Sequence, residues 1–151
     1  MSKAALIVGA GDATGGAIAK AFAREGYVAC VNRRARNADQ LEALVQSIHA
    51  EGYEARAYPA DARIEDEVVA MVDAIERDVG PIEVAVFNIG ANVNFSILDM
   101  TAQVYRKVWE MAAFAGFLMG REAARRMVAR QSGTIIFTGA TASMRGGKGF
   151  S

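Results

Sequence analysis

The stretch Ala4-Ala5-Leu6-Ile7-Val8-Gly9-Ala10-Gly11-Asp12-Ala13-Thr14-Gly15-Gly16 decides the fold. Its first five residues are an unbroken apolar run, the pattern of a parallel strand buried on both faces. Glycines then break the run, and a helical stretch follows from Gly15 to Arg24. A strand, a glycine-rich turn and a helix in that order make a phosphate-binding turn. The glycines let the backbone approach a ligand, and the helix start offers unpaired N–H groups to an anion. The helix dipole adds roughly 0.3–1 kcal/mol, and about 2 kcal/mol when partly buried. The common G-x-G-x-x-G spacing is not met, because Thr14 stands at the third glycine. Placement between strand and helix therefore carries the reading more than the motif does.

Outward from that turn, strand and helix alternate. Gly26 ends the first helix, and Val28-Ala29-Cys30-Val31 reads as a second strand. Leu41, Leu44, Val45 and Ile48 recur at helical spacing up to Gly52, and a short third strand is expected over Ala55–Tyr58. Val68, Met71, Val72, Ile75 and Val79 form the next helical stripe, stopped by Gly80-Pro81. Val84–Phe87 is the fourth strand. A long helix is expected from Thr101, its N-cap, to Ala129, and Gly133–Thr138 is the fifth strand. Strict alternation implies parallel strands, right-handed crossovers and helices on both faces. The predicted fold is an α/β doubly wound parallel sheet, Rossmann-like, with five strands in the order 3-2-1-4-5. The chain ends in the glycine-rich stretch Gly146–Ser151, without the sixth strand common in such sheets. The expectation is one domain over 1–151, incomplete at its C-terminal end.

Composition excludes several classes. Hydrophobic residues make 52% of 151 and charged residues 23%, which no disordered chain shows. Seventeen basic residues balance seventeen acidic ones, giving no electrostatic reason for nucleic acid or an anionic membrane. One cysteine, Cys30, precludes an internal disulfide and reads as a small buried group, and one histidine, His49, precludes a two-histidine zinc site. No metal site is expected. Neither a signal peptide nor a bilayer-length apolar run is present, so a cytoplasmic location is expected.

Four ordered landmarks give the chain its resemblance to the short-chain dehydrogenase/reductase family. The glycine turn resembles the family's T-G-x-x-x-G-x-G, with Gly9 and Gly15 matching and Val8 and Ala13 departing. Asp61-Ala62 follows the third strand, Phe87-Asn88-Ile89-Gly90 resembles N-N-A-G, and Gly139–Gly146 resembles the S-S-x-x-G-x-x-G region. The resemblance implies a nicotinamide dinucleotide held by Gly9, Gly11, Asp12, Ala13, Thr14 and Gly15 at the turn. It places Asp61 and Ala62 at the adenine, and Asn88, Ile89 and Gly90 beside a ribose. Asp61 reads equally as an N-cap for the helix beginning near Ile64. At the end of the second strand an acid selects NAD and an arginine accommodates the extra phosphate of NADP. Here Asn32 takes the acidic position and Arg33 and Arg34 follow, with Arg36 beyond. NADP(H) is expected over NAD(H), at about 1.5–3 kcal/mol per charge-assisted hydrogen bond.

The family's catalytic Asn–Ser–Tyr–Lys set is not matched. Ala112 stands at the asparagine and Ala140 at the serine, and Tyr-x-x-x-Lys is expected just past Ser151. A methyl group exchanges no proton. The expected catalytic set is therefore empty, with Thr138 and Thr141 as weak substitutes. The function expected is the cofactor-binding portion of an NADP(H)-dependent oxidoreductase acting on a small-molecule carbonyl or alcohol, itself inactive. The alternatives are a non-catalytic NADP-binding regulatory module and, third, an S-adenosylmethionine-dependent methyltransferase, which Asn32-Arg33 argues against. Arg121, Arg125, Arg126 and Arg130 read as a solvated helix face. Trp109, Phe114, Phe117 and Met119 read as packing against the sheet or a second subunit of a dimer or tetramer.

Overall fold

The computed structural model describes residues 2–91, 93–147 and 149. Its centre is β1 (Ala4–Val8), flanked by β2 (Val28–Asn32) and β4 (Ile82–Phe87), with β3 (Ala55–Ala57) and β5 (Thr134–Phe137) at the edges. The order is β3-β2-β1-β4-β5 and every pairing is parallel, as the alternation predicts. Of the terminal stretch 146–151, residues 148, 150 and 151 lie outside the described residues.

The apolar run of β1 is buried because helices cover both its faces. Ala4, Leu6 and Val8 join a cluster with Met71, Val72 and Ile75 of α3 (Glu65–Asp78) and Ala115, Met119, Ala123 and Met127 of α5 (Ala115–Ala129). Ala5 and Ile7 join the opposite cluster, with Ala19 and Ala23 of α1 (Thr14–Arg24) and Leu41, Val45 and Ile48 of α2 (Ala38–Ala50). Side chains alternate across a strand, so one five-residue run feeds two cores. Cys30 is buried on β2, and burial pushes its thiol up to about 12, leaving it unreactive. The end of α1 shows why Gly26 is required. Tyr27 N–H donates to the Phe22 carbonyl and Gly26 N–H to that of Ala23, with Gly26 at φ +87°. This is a Schellman closure, and the Phe22 and Tyr27 rings, 5.6 Å apart, supply its apolar contact.

The helix expected over Thr101–Ala129 follows one path but is not uniform. Thr101 caps α4 (Ala102–Trp109) by accepting from Val104 N–H at 3.2 Å. A π-helical turn, Glu110–Phe114, separates α4 from α5. Such turns re-aim side chains and recur near functional sites.

Arg121, Arg125 and Arg126 of α5 and Arg130 at its C-cap all pair with acids, so the solvated-face reading fails, although Arg125 stays largely exposed. Three of them surround Glu122, which is buried, with Arg121 Nε and Arg125 Nη1 each 3.0 Å from Oε1 and Arg126 Nη1 2.7 Å from Oε2. Arg121 also pairs with Glu65, Arg126 with Asp73 and Arg130 with Glu76, tying α5 to α3. The sequence reading missed this because three of the four acids lie about fifty residues upstream, on α3. Burial pushes the Glu122 carboxyl up, but the bonds from Arg126 and Arg121 and the nearby charges bring it below the ordinary range. Of the four apolar residues grouped with the long helix, Met119 enters the core. Trp109, Phe114 and Phe117 instead stack on one another outside it, with centroids 5.5 and 6.3 Å apart. Among the described residues no helix is long and apolar enough to cross a membrane, and no acidic, histidine and cysteine side chains gather as a metal site.

Candidate functional site

The carboxyl ends of β1, β2 and β4 open on one cleft, where doubly wound sheets bind ligands. Its walls include Gly9 and Gly11, then Asn32, Arg33, Arg34 and Asn37. Ala60, Asp61, Ala62 and Arg63 form a second wall, and Ile89, Gly90 and Met111 a third.

The glycine turn is pinned from both neighbouring strands. Gly9 N–H and Ala10 N–H both donate to the Asn32 carbonyl, at 3.1 and 3.0 Å. Asn88 Nδ2 donates to the Gly9 carbonyl at 3.2 Å, and Asn88 N–H to that of Val8 at 2.8 Å. Gly9 sits at φ +87°, and a Cβ there would meet the Asn88 backbone at 2.9 Å, so no other residue fits. Gly15 is a packing glycine, because a side chain on it would collide with the Gly9 carbonyl. Gly11 differs: a Cβ there has no neighbour within 4 Å and would stand in the cleft itself.

Helix α1 starts without a side-chain cap at Ala13. Gly16 N–H donates to Gly11 and Ala17 N–H to Ala13, but the N–H groups of Asp12, Ala13, Thr14 and Gly15 have no acceptor among the described residues. Four successive free donors at a helix start form an anion cradle, and the backbone is bare at Gly11 to let a ligand reach it. The residues present thus fit the phosphates of a dinucleotide.

The end of the second strand brings Asn32, Arg33 and Arg34 to the cleft, each in a different state. Asn32 borders the cleft, but its amide donates both protons to backbone carbonyls, Tyr58 at 2.8 Å and Ala60 at 3.1 Å. It fastens the loop after β3 and has no donor left for a ligand. Arg33 is the first side chain beyond β2 to present charge to the cleft, and its Nη1 lies 3.2 Å from Asp12 Oδ1. The Arg34 guanidinium makes no hydrogen bond or ion pair with the described residues, and Arg36 is exposed outside the cleft.

On the opposite wall Asp61 is clamped by Arg63, Nε to Oδ1 at 2.9 Å and Nη2 to Oδ2 at 2.6 Å. These bonds, helped by the Arg63 backbone N–H and the Arg34 charge, hold the Asp61 carboxyl below the ordinary carboxylate range. The N-cap alternative for Asp61 falls, because α3 begins at Glu65 behind Ile64, with no side-chain cap. Arg63, Asn37, Ala60 and Met111 escaped the sequence reading. Only Arg63 carried a signal, a cation two residues after an acid. Met111 reaches the cleft through the π turn, which local sequence does not announce.

Ala112 is exposed on the π turn and Ala140 exposed after β5. Thr138 donates its N–H to the Phe87 carbonyl at 2.9 Å, and Ser143 Oγ donates to the Ala140 carbonyl at 2.6 Å. Gly90 and Met111 also border an adjoining, mostly apolar cavity that carries Lys107.

These features define a doubly wound α/β protein with a cleft lined by arginines and free N–H groups at its topological switch point. The chain belongs to the short-chain dehydrogenase family, whose profile matches residues 3–151. It is 31% identical over 142 residues to the 2,3-dihydro-2,3-dihydroxybenzoate dehydrogenase of Bacillus subtilis, covering 93% of this chain and 53% of that protein. The chain spans about half the length of the curated relatives it matches. Among solved structures, a short-chain dehydrogenase from Rhodopseudomonas palustris aligns at a TM-score of 0.91 and 52% identity, over 99% of this chain and 69% of that one. A xylitol dehydrogenase solved with NAD+ aligns at 0.91 and 28%, over 98% and 56%. The family binds a nicotinamide cofactor and acts on small molecules.

Proposed function

We propose that the chain is the cofactor-binding portion of an NADP(H)-dependent oxidoreductase that acts on a small-molecule carbonyl or alcohol. The carrying observation is the run of four unpaired N–H groups, Asp12 to Gly15, opening on a cleft whose next wall holds Arg33 and Arg34. A nicotinamide dinucleotide supplies hydride chemistry when bound. The turn, through Gly9 and Gly11 and the N–H groups of Asp12, Ala13, Thr14 and Gly15, binds the pyrophosphate. Arg33 and Arg34 receive the additional phosphate of NADP(H), a group their forked donors match. Asp61 and Ala62 bound the adenine end, while Asn88, Ile89 and Gly90 present backbone to a ribose. Asn32 acts through the turn and the β3 loop.

Calorimetric titration with NADPH and NADH tests the reading. NADPH is expected to bind ten- to a hundred-fold more tightly, by about 1.4 kcal/mol per decade. Equal or tighter NADH binding overturns the preference, and binding of neither overturns the site. Carbonyl reduction by the isolated chain is expected to be undetectable, because Ala112 and Ala140 carry no proton-transfer group, and measurable turnover refutes this. Those two alanines also favour a second reading, a non-catalytic NADP-binding regulatory module. The source gene beyond Ser151 discriminates: Tyr-x-x-x-Lys there favours the enzyme. The exposed Trp109, Phe117 and Tyr105 favour a homodimer or homotetramer, and the absence of a membrane-length helix among the described residues accords with a cytoplasmic place.

A further inference from the structure

Three arginines, Arg33, Arg34 and Arg63, line the cleft, and they are not equivalent. Arg63 is held by two bonds to Asp61 on the wall after β3. Arg34 makes no hydrogen bond or ion pair with the described residues, although its charge acts on Asp61. Arg33 is intermediate: its side chain is 19% exposed and makes a single contact, from Nη1 to Oδ1 of Asp12 at 3.2 Å. Asp12 is 78% exposed and sits on the anion-binding turn itself, between the cleft-lining Gly11 and the N-cap Ala13. A carboxylate therefore stands on the guanidinium closest to the turn, in a cleft otherwise arranged to receive anions.

From this geometry we propose that Asp12 sets the cofactor selectivity of the cleft by competing with the 2′-phosphate of NADP(H) for Arg33. The proposal rests on the dinucleotide reading given above. A phosphate dianion reaching Arg33 must displace the Asp12 carboxylate or share one guanidinium with it, and like charges at such range repel. NADH carries no phosphate there and meets no such competition. Arg34 accepts the phosphate without displacing a hydrogen-bonded partner, and Arg33 is held in reserve by a partly exposed, single-contact pair of the kind that breaks at little cost. The chain thus prefers NADPH through Arg34 and tempers that preference through Asp12. Removing the carboxylate while leaving Arg33 widens the gap between the two cofactors. Removing Arg33 abolishes the effect of Asp12, because the aspartate acts through it.

The test is a four-protein binding cycle on the full chain: wild type, Asp12→Asn, Arg33→Met and the double variant, each titrated with NADPH and NADH by calorimetry. Thermal melting of each protein checks that the substitutions at exposed Asp12 and part-buried Arg33 leave the fold intact. Asp12→Asn is expected to tighten NADPH about fivefold, the order of one solvent-screened like-charge contact. It is expected to change NADH less than about twofold. In the Arg33→Met background the same substitution is expected to change neither. Unchanged or weaker NADPH binding in Asp12→Asn overturns the proposal, as does equal tightening of NADH. A gain that survives in Arg33→Met overturns the route through Arg33. If neither dinucleotide binds any of the four proteins, the dinucleotide reading itself fails and takes the proposal with it. That result differs from NADH binding that persists while NADPH ignores Asp12, which overturns the proposal alone.

Discussion

β1 and β5 are both short strands rich in branched apolar residues, and they end in opposite environments. Every residue of β1 is sealed, because α1 and α2 cover one face and α3 and α5 the other. On β5, Ile135 and Phe137 turn toward α5, while Thr134 and Ile136 occupy the uncovered face. Phe137 lies over Gly116 and Gly120 and 6.1 Å from the Phe87 ring, yet stays 57% exposed, and Ile136 is 41% exposed. The contrast teaches that apolar pattern specifies a strand, whereas its place in the sheet specifies how much of it is buried.

Three measurements sharpen this contrast between the sealed centre and the open edge. The largest effect is expected at the centre. Ile7→Ala removes a fully buried side chain and should cost about 3–4 kcal/mol in urea unfolding. A cost below about 1 kcal/mol would mean that β1 is not the sealed centre described. Next comes the polar clasp that holds α5 over the sheet. Glu122→Gln leaves Arg121, Arg125 and Arg126 facing a neutral amide and should cost about 2–3 kcal/mol at pH 7. Because the folded carboxyl sits below its ordinary value, its contribution is present above about pH 4.3 and fades as pH falls through the folded value. The wild-type advantage over Glu122→Gln should therefore shrink in acid, and an advantage that grows below pH 4.3 contradicts the assignment. The smallest effect belongs to the edge. Ile136→Thr should change stability by no more than about 0.5 kcal/mol, and a core-sized loss would show that this face is covered in solution.

The candidate site was legible in proportion to how local its determinants are. The Gly9–Gly16 turn could be read because strand, glycines and helix are consecutive in the chain. Arg33 and Arg34 could be read as basic residues after a strand, but their different states could not. Arg33 meets Asp12 across 21 residues, and Asn32 spends its amide on the Tyr58 and Ala60 carbonyls, 26 and 28 residues on. The arginines of α5 looked solvated for the same reason, since Glu65, Asp73 and Glu76 lie on another helix.

By itself the sequence determined the alternation of strands and helices, their parallel order and the glycine turn. Each of these depends on apolar periodicity and backbone freedom over a few neighbouring residues. Only the tertiary structure decided which charges are spent and which remain free, and which of two apolar strands is sealed. Ion pairs, borrowed carbonyls and covering helices come from residues far apart in sequence, and their effect exists only once the chain has brought them together.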